Sequence, residues 1–594
     1  MRSFFKSVLA SFVALVLFVT LGVGGVVLLL ASIASNTSSK PTIEDDTILA
    51  FDLSLNIADA SSTPGVGSLV TGSTPNAIAL RTVTRAIEQA AQDDRISGLY
   101  LSGDLSTGGL GWASLRELRQ ALLKFQATGK PIFAYETEGN ERDYYLTSVA
   151  DTLLVDPRAA IEFNGLRSQT AFYVNALQKY GIGVQVLRVG RFKAAVEPFT
   201  RPNSSPESRQ QTQQLLNDLW GEFLAAVGKS RTLTPRQLTT IANTQGLLLA
   251  EQAVRAGLAD KVAHADEVDA QLRAVTGEKE SEGDEAFRQI SVPAYLAAIE
   301  PERTSSNRIA VVYAEGNIVS GEGSSGQIGG DRLAGQLRKL REDDDVKAIV
   351  LRVNSPGGSA AASDAVAREV KLIAAQKPII VSMGDVAASG GYLISTYATE
   401  ILASPNTVTG SIGVFGLLPN VQRLANNNGI NWDVVETNPL ADSETIARPK
   451  TPQELAIGQR VVDQIYDRFV SDVATGRKLD RNRVNEIAQG RVWSGIQAEK
   501  IGLVDRLGGL EDAIRTAAAQ AKLGDDWQID AYPKARSFRE QIVRDLFSSN
   551  EPQNIVRDPL SIELERLRGE LETLRSMNDP RGAYMRLPIN FAID

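Results

Sequence analysis

Cysteine is absent from the 594 residues, and histidine occurs once. The first absence removes disulfides, thiolate metal sites and cysteine nucleophiles together. The second rules out a histidine-rich zinc or iron centre. No acidic loop of the EF-hand type is present either, so no metal and no cofactor are expected. Long basic runs are missing as well, and a net charge of −9 argues against a nucleic-acid surface. What remains is a globular composition, 43% hydrophobic and 22% charged. The chain is too long for one hydrophobic core, so at least two domains are expected.

One stretch lacks charge altogether. From Ser7 to Ser39 there is no Asp, Glu, Lys or Arg, and Leu, Val, Ala and Phe dominate. About 20 apolar residues span a bilayer, whereas the apolar core of a signal peptide runs to about 7–15. Ser32–Ser35 reads SIAS and offers a cut after Ala34, but the length favours an uncleaved, single-pass anchor. Arg2 and Lys6 precede the segment and Glu44–Asp46 follow it. The positive-inside rule then keeps the N-terminus in the cytoplasm and puts the rest of the chain on the far side.

The chain repeats itself. GKPIFAYETEGNERDYYLTSVADTLLVDP (Gly129–Pro157) lines up with QKPIIVSMGDVAASGGYLISTYATEILASP (Gln376–Pro405). GLYLSGDLSTGG (Gly98–Gly109) precedes the first and AIVLRVNSPGG (Ala348–Gly358) the second. AVRAGLADKV (Ala253–Val262) and AEKIGLVDRL (Ala498–Leu507) follow in the same order. Such matches in register read as two homologous domains. Each half alternates short β-branched runs with helical patterns; Val366, Val370 and Ile373 carry the helical spacing between KAIVLRV and KPIIVSM. This order favours an α/β fold with parallel strands and right-handed crossovers.

Ser389 sits in AASGG, ahead of an apolar run. A sharp strand-to-helix turn there can present a nucleophile, and a serine N-cap in a crowded turn reads the same way. NSPGG (Asn354–Gly358) follows the preceding strand. The backbone N–H groups of Gly358 and Gly390 can form a two-donor oxyanion hole, or Gly358 can belong to an ordinary glycine turn. The alignment sets Ser389 against Arg142, so the first half lacks the nucleophile. A serine needs a base. His264, the lone histidine, lies at a peripheral helix start. Lys193 lies in the mostly apolar VLRVGRFKAAVEPF, and its second-half counterpart is Leu440 or Ala441. The first half keeps a lysine and lacks the serine, and the second half does the reverse. A Ser–Lys pair is an established alternative to a histidine base, provided the lysine is neutral.

NSPGGS, MGDVAASGGYLIS and TGSIGVFG in the second half, with GRFKAAVEPF in the first, resemble signal peptide peptidase A (protease IV) in its long, duplicated, membrane-anchored form. The resemblance runs from the anchor to about residue 535. It implies two tandem Clp protease/crotonase-like domains of repeated β-β-α units. It implies Ser389 as nucleophile, Lys193 as general base, Gly358 and Gly390 as oxyanion donors, and Ser411 as the hydroxyl that orients the lysine. It implies remnant signal peptides or other short apolar peptides as substrates, the membrane as location, and a homo-oligomer, a tetramer enclosing a cavity. With the anchor's orientation, the catalytic part is expected on the periplasmic side of an inner membrane.

The expected organisation is an anchor over 1–40, a lysine-bearing domain over 41–300, a serine-bearing domain over 301–545 and a tail over 546–594. In the tail, Leu560, Leu564, Leu567, Leu571 and Leu574 make a two-heptad stripe suited to an assembly helix or to packing on its own domain. Two other functions remain open: a crotonase-type acyl-CoA enzyme using only the backbone oxyanion hole, and a non-catalytic scaffold. The Ser–Lys pairing and the anchor count against the first, and the intact motifs count against the second.

Overall fold

A computed structural model of the chain describes residues 41–60, 77–105, 110–278, 286–299, 304–324, 326–534, 577–579 and 582–587. The expected anchor, the first half's glycine turn at 106–109 and the leucine stripe of the tail lie outside the described residues. Among the described residues no helix is long and apolar enough to cross a membrane.

Each half is built on a six-strand parallel run in one order. In the first half Lys261–Val262, Thr152–Val155, Ile132–Glu136, Ile96–Ser102, Thr47–Asp52 and Gln289–Ser291 lie side by side. In the second, Arg506–Leu507, Glu400–Ala403, Ile379–Ala388, Val346–Ser355, Arg308–Glu315 and Gln528–Tyr532 repeat that order. Helices cover both faces of a parallel sheet, so its strands are near-continuous apolar runs; Ile349, Val350 and Leu351 are all fully buried. The main core of each half draws almost wholly on its own residues.

Polar details repeat as well. Lys130 Nζ donates to the Asp93 carbonyl at 2.7 Å and Lys377 Nζ to the Asp343 carbonyl at 2.9 Å. Asp260 accepts from Leu153 N, and Asp505 from Ile401 N, both at 2.7 Å. The Tyr144 hydroxyl donates to Leu258 O and the Tyr392 hydroxyl to Leu503 O. These pairs correct the sequence alignment by one place: with Tyr144 on Tyr392, Glu141 and not Arg142 stands where Ser389 does. The Glu141 carboxylate is committed to the N–H groups of Asn164 and Gly165 at 2.6 and 2.9 Å, so that position carries no nucleophile.

Three devices lock the halves together. Strand Gly183–Val189 leaves the first half and pairs antiparallel with Val414–Asn420 of the second over seven residue pairs. Asp385, four residues before Ser389, accepts from Gly111 N, Ala113 N and Ser114 N at 2.9–3.1 Å, capping helix Trp112–Gln126 of the other half. Arg352, 1% exposed, binds Asp59 at 2.9 Å and Glu117 at 2.7 Å, both from the first half.

Candidate active site

Ser389 follows strand Ile379–Ala388 and precedes helix Gly390–Ser395. Its backbone has φ 57° and ψ −113°, a conformation that costs a non-glycine residue energy. The surroundings enforce it. Ser389 N donates to Gly410 O at 2.7 Å, and a Cβ on Gly391 would stand 2.5 Å from the Ser355 carbonyl. The turn is therefore packed too tightly for larger residues, and the AASGG composition follows from that.

Lys193 arrives from the other half. Strand Gly183–Val189 delivers the chain across the boundary, and Gly190, at φ 104°, turns it back. Phe192 N then donates to Gln489 O at 2.9 Å, and Gln211 bridges Phe192 O and Val492 N. The lysine backbone rests on Gly490, where an added Cβ would come within 2.6 Å of Lys193 Cβ. Its stem passes Gly413, where one would lie 3.2 Å from Lys193 Cδ. Two glycines of the second half thus make a slot for a first-half side chain.

At the end of that slot Lys193 Nζ lies 2.7 Å from Ser389 Oγ and 3.0 Å from both the carbonyl and hydroxyl oxygens of Ser411. Lys193, Ser389 and Ser411 are all fully buried. Burial alone pushes the amine well below the ordinary lysine range. A neutral amine has two N–H donors and one lone pair. The two Ser411 oxygens take the donors, which leaves the lone pair for the Ser389 hydroxyl proton. Ser411 is held at φ 53°, its N–H bound to Arg491 O at 2.7 Å.

Gly358 lies in strand Gly357–Ser359, next to the serine turn. A Cβ there would fall 1.9 Å from Ile318 O, so the close approach of two strands requires glycine. Gly390 follows the serine directly, and a Cβ on Gly357 would stand 2.6 Å from its nitrogen. The glycine turn and the serine turn therefore meet. His264 is exposed at the start of helix Ala265–Thr276, in the first half. The sequence reasoning missed Gly413, Gly490, Gln211 and Asp385. Asp385 lies inside MGDVAASGGYLIS, but its role requires knowing that a helix of the other half begins against it.

Comparison with known proteins gives a consistent picture. Residues 124–278 and again 371–524 match Peptidase family S49, and residues 302–408 match Clp protease. Protease 4 of Salmonella typhi is 36% identical over 516 residues, 84% of this chain and 82% of that protein. Protease 4 of Haemophilus influenzae is 33% identical, over 86% and 85% respectively. The chloroplastic serine protease SPPA of Arabidopsis thaliana is 33% identical over 73% of this chain and 64% of that protein.

Proposed function

Because the chain belongs to peptidase family S49 and is a serine protease of that family, we propose that it cleaves peptides with Ser389 as nucleophile and Lys193 as general base. The acyl-CoA reading is not retained, since the relatives are peptidases. One observation carries the proposal: the buried Lys193 amine, lowered in pKa and 2.7 Å from Ser389 Oγ.

Neutral Lys193 takes the serine proton as Oγ adds to the scissile carbonyl carbon. The N–H groups of Gly358 and Gly390 receive the developing oxyanion. The protonated lysine gives its proton to the leaving amine, and the C–N bond breaks. Water, deprotonated by Lys193, then adds to the ester, and the lysine returns that proton to Ser389 Oγ as the acyl–oxygen bond breaks. Ser411 keeps the amine aimed throughout. The substrates are remnant signal peptides or other short apolar peptides, met at the membrane that the Ser7–Ser39 segment holds, with the catalytic part on the periplasmic side.

The protein works as a homo-oligomer, a tetramer. Support comes from the repeat. Helices Val174–Lys179 and Gln422–Asn427 correspond, each followed by a glycine at φ 76°, Gly181 and Gly429. The segment after Gly181 is the pairing strand Gly183–Val189. The segment after Gly429 has no strand among the described residues and exposes Trp432, Val434 and Val435. A second copy covers it.

Labelling with a fluorophosphonate probe tests the mechanism. The wild type should label, and Ser389→Ala and Lys193→Met should not. Labelling that survives Ser389→Ala would remove the nucleophile assignment.

A further inference from the structure

One helix holds both flanks of Lys193. Pro206–Arg231 begins after Ser205, whose hydroxyl caps it by accepting from Ser208 N at 3.1 Å. On the far side of the lysine, the Glu197 carboxylate accepts from Ser205 N at 2.9 Å and from Ser205 Oγ at 2.5 Å. On the near side, Gln211 Nε2 donates to Phe192 O at 3.1 Å. The loop that delivers the amine is therefore tied at both ends to the start of this helix. Glu197 and Gln211 are 3% and 4% exposed, so water does not compete for these bonds.

The same helix is tied to the strand behind the serine. Gln211 Oε1 accepts from Val492 N at 3.2 Å, and Asp218 Oδ2, two turns further on the same face, accepts from Ser494 Oγ at 2.6 Å. Strand Val492–Ser494 pairs with Val408–Gly410 and sets Val492 against Gly410. Gly410 O accepts from Ser389 N, and Arg491 O from Ser411 N, both at 2.7 Å. One carboxamide thus joins the carbonyl that precedes the base to the strand that carries the nucleophile's own anchor.

The repeat isolates what this residue adds. Ser205 and Thr451 cap corresponding helices, and each helix opens on proline. Counting on equally from the two caps, the first half has Gln211 where the second has the half-buried Ile457. The second half has no lysine to place, since Leu440 or Ala441 stands at that position. A carboxamide offers at one tip a donor for a carbonyl and an acceptor for an N–H. Isoleucine offers neither. We infer that Gln211 is a positioning residue for the reaction: it fixes the spacing between the lysine loop and the strand behind Ser389, and so holds Lys193 Nζ against Ser389 Oγ. This rests on the preceding assignment of those two residues. Gln211 touches neither substrate nor the reacting atoms, and it acts through Lys193 alone.

The test compares full-length Gln211→Met, Gln211→Asn, Asp218→Ala and Lys193→Met with the wild type on a fluorogenic apolar peptide. Methionine keeps the side chain's length and loses both bonds. Asparagine keeps the amide but is too short to span both groups. A displacement near 1 Å at a catalytic group costs on the order of 100-fold in rate, so Gln211→Met should lose kcat by at least about tenfold with KM little changed. Burial is what depresses the lysine pKa, so an amine drawn out of its slot becomes more basic, and the rise of kcat with pH should move to higher pH. Gln211→Asn should show the same two changes, smaller in size. Asp218→Ala cuts the other tie of the same helix and leaves the lysine loop bound, so it should melt earlier yet keep kcat within about twofold and an unmoved pH profile. Wild-type kcat and pH profile in Gln211→Met would overturn the positioning role, and so would equal losses in Asp218→Ala, which would reduce Gln211 to a part of helix docking. If Gln211→Met fails to fold, Gln211→Asn decides by the same two readouts. Lys193→Met separates this role from the reading beneath it. Cleavage at the wild-type rate in Lys193→Met would remove the base assignment, whereas a dead Lys193→Met beside a normal Gln211→Met would remove only the role of Gln211.

Discussion

Gly490→Ala places the proposed Lys193–Ser389 geometry at risk from a residue that does no chemistry. Its Cβ would lie 2.6 Å from Lys193 Cβ, 2.7 Å from its nitrogen and 2.8 Å from its Cα, whereas ordinary contact begins near 3.4 Å. The lysine loop must therefore retreat by about 0.8 Å. A retreat along the side chain stretches the 2.7 Å contact between Nζ and Ser389 Oγ to about 3.5 Å, outside hydrogen-bond range. A displacement near 1 Å at a catalytic group costs on the order of 100-fold in rate. The left-handed backbone at Gly490, φ 75°, adds about 1–2 kcal/mol of destabilisation for any residue with a Cβ. Gly129→Ala is the control: its φ of 85° carries a similar backbone penalty, but nothing lies within 4 Å of the added Cβ. Both variants should melt earlier than the wild type. Only Gly490→Ala should lose kcat on a fluorogenic apolar peptide and label slowly with a fluorophosphonate. Full kcat in Gly490→Ala, or equal losses in both variants, would refute the idea that this glycine sets the lysine's place.

Ser389→Ala and Lys193→Met should each abolish peptide cleavage, and the double variant should be hardly worse, because the two act as a unit; Lys193→Arg should also be inactive, since a guanidinium stays protonated. Activity should rise with pH as the Lys193 ammonium loses its proton. The same group should make stability rise with pH below its ordinary value of 10.5, because the unfolded chain then binds a proton that the folded one does not; a melting series in Lys193→Met should lack that slope. Ser411→Ala removes a hydrogen-bond acceptor from the amine, so kcat should fall and the pH profile should shift to lower pH, a change that general loosening of the fold would not produce. Asp385→Ala strips the cap from helix Trp112–Gln126 and leaves three N–H groups without their acceptor, which should cost about 1–3 kcal/mol in chemical denaturation and lower the labelling rate of Ser389. Unchanged stability would show that the halves are held in register without it.

Much of the molecule was legible in its residue order. The repeat could be read because two copies of one fold must bury the same strands, so KPIFAY and KPIIVS keep the same apolar run and the same lysine after a helix. The serine turn could be read because only small residues fit its packing. The choice of Lys193 came from the complementary loss across the halves, a comparison internal to the chain. The alignment slipped by one place at Ser389, because the turn before Tyr144 differs in length from the turn before Tyr392, and the carboxylate commitments of Glu141 are invisible without coordinates.

What sequence determined by itself is local: which segments are strands, which turns are tight, and which side chains can do chemistry. Tertiary structure decided everything that depends on contact across the boundary. Lys193 and Ser389 are 196 residues apart, and no periodicity links them. They meet because strand Gly183–Val189 crosses to the other half, and because Gly413 and Gly490 leave a slot where a side chain would otherwise stand. The depressed lysine pKa has the same origin, since desolvation belongs to the place where a residue is buried and not to its identity. The tail strand is the plainest case. AYMRL carries no motif, yet it lies against Gly358, because strand pairing uses main-chain groups that every sequence possesses.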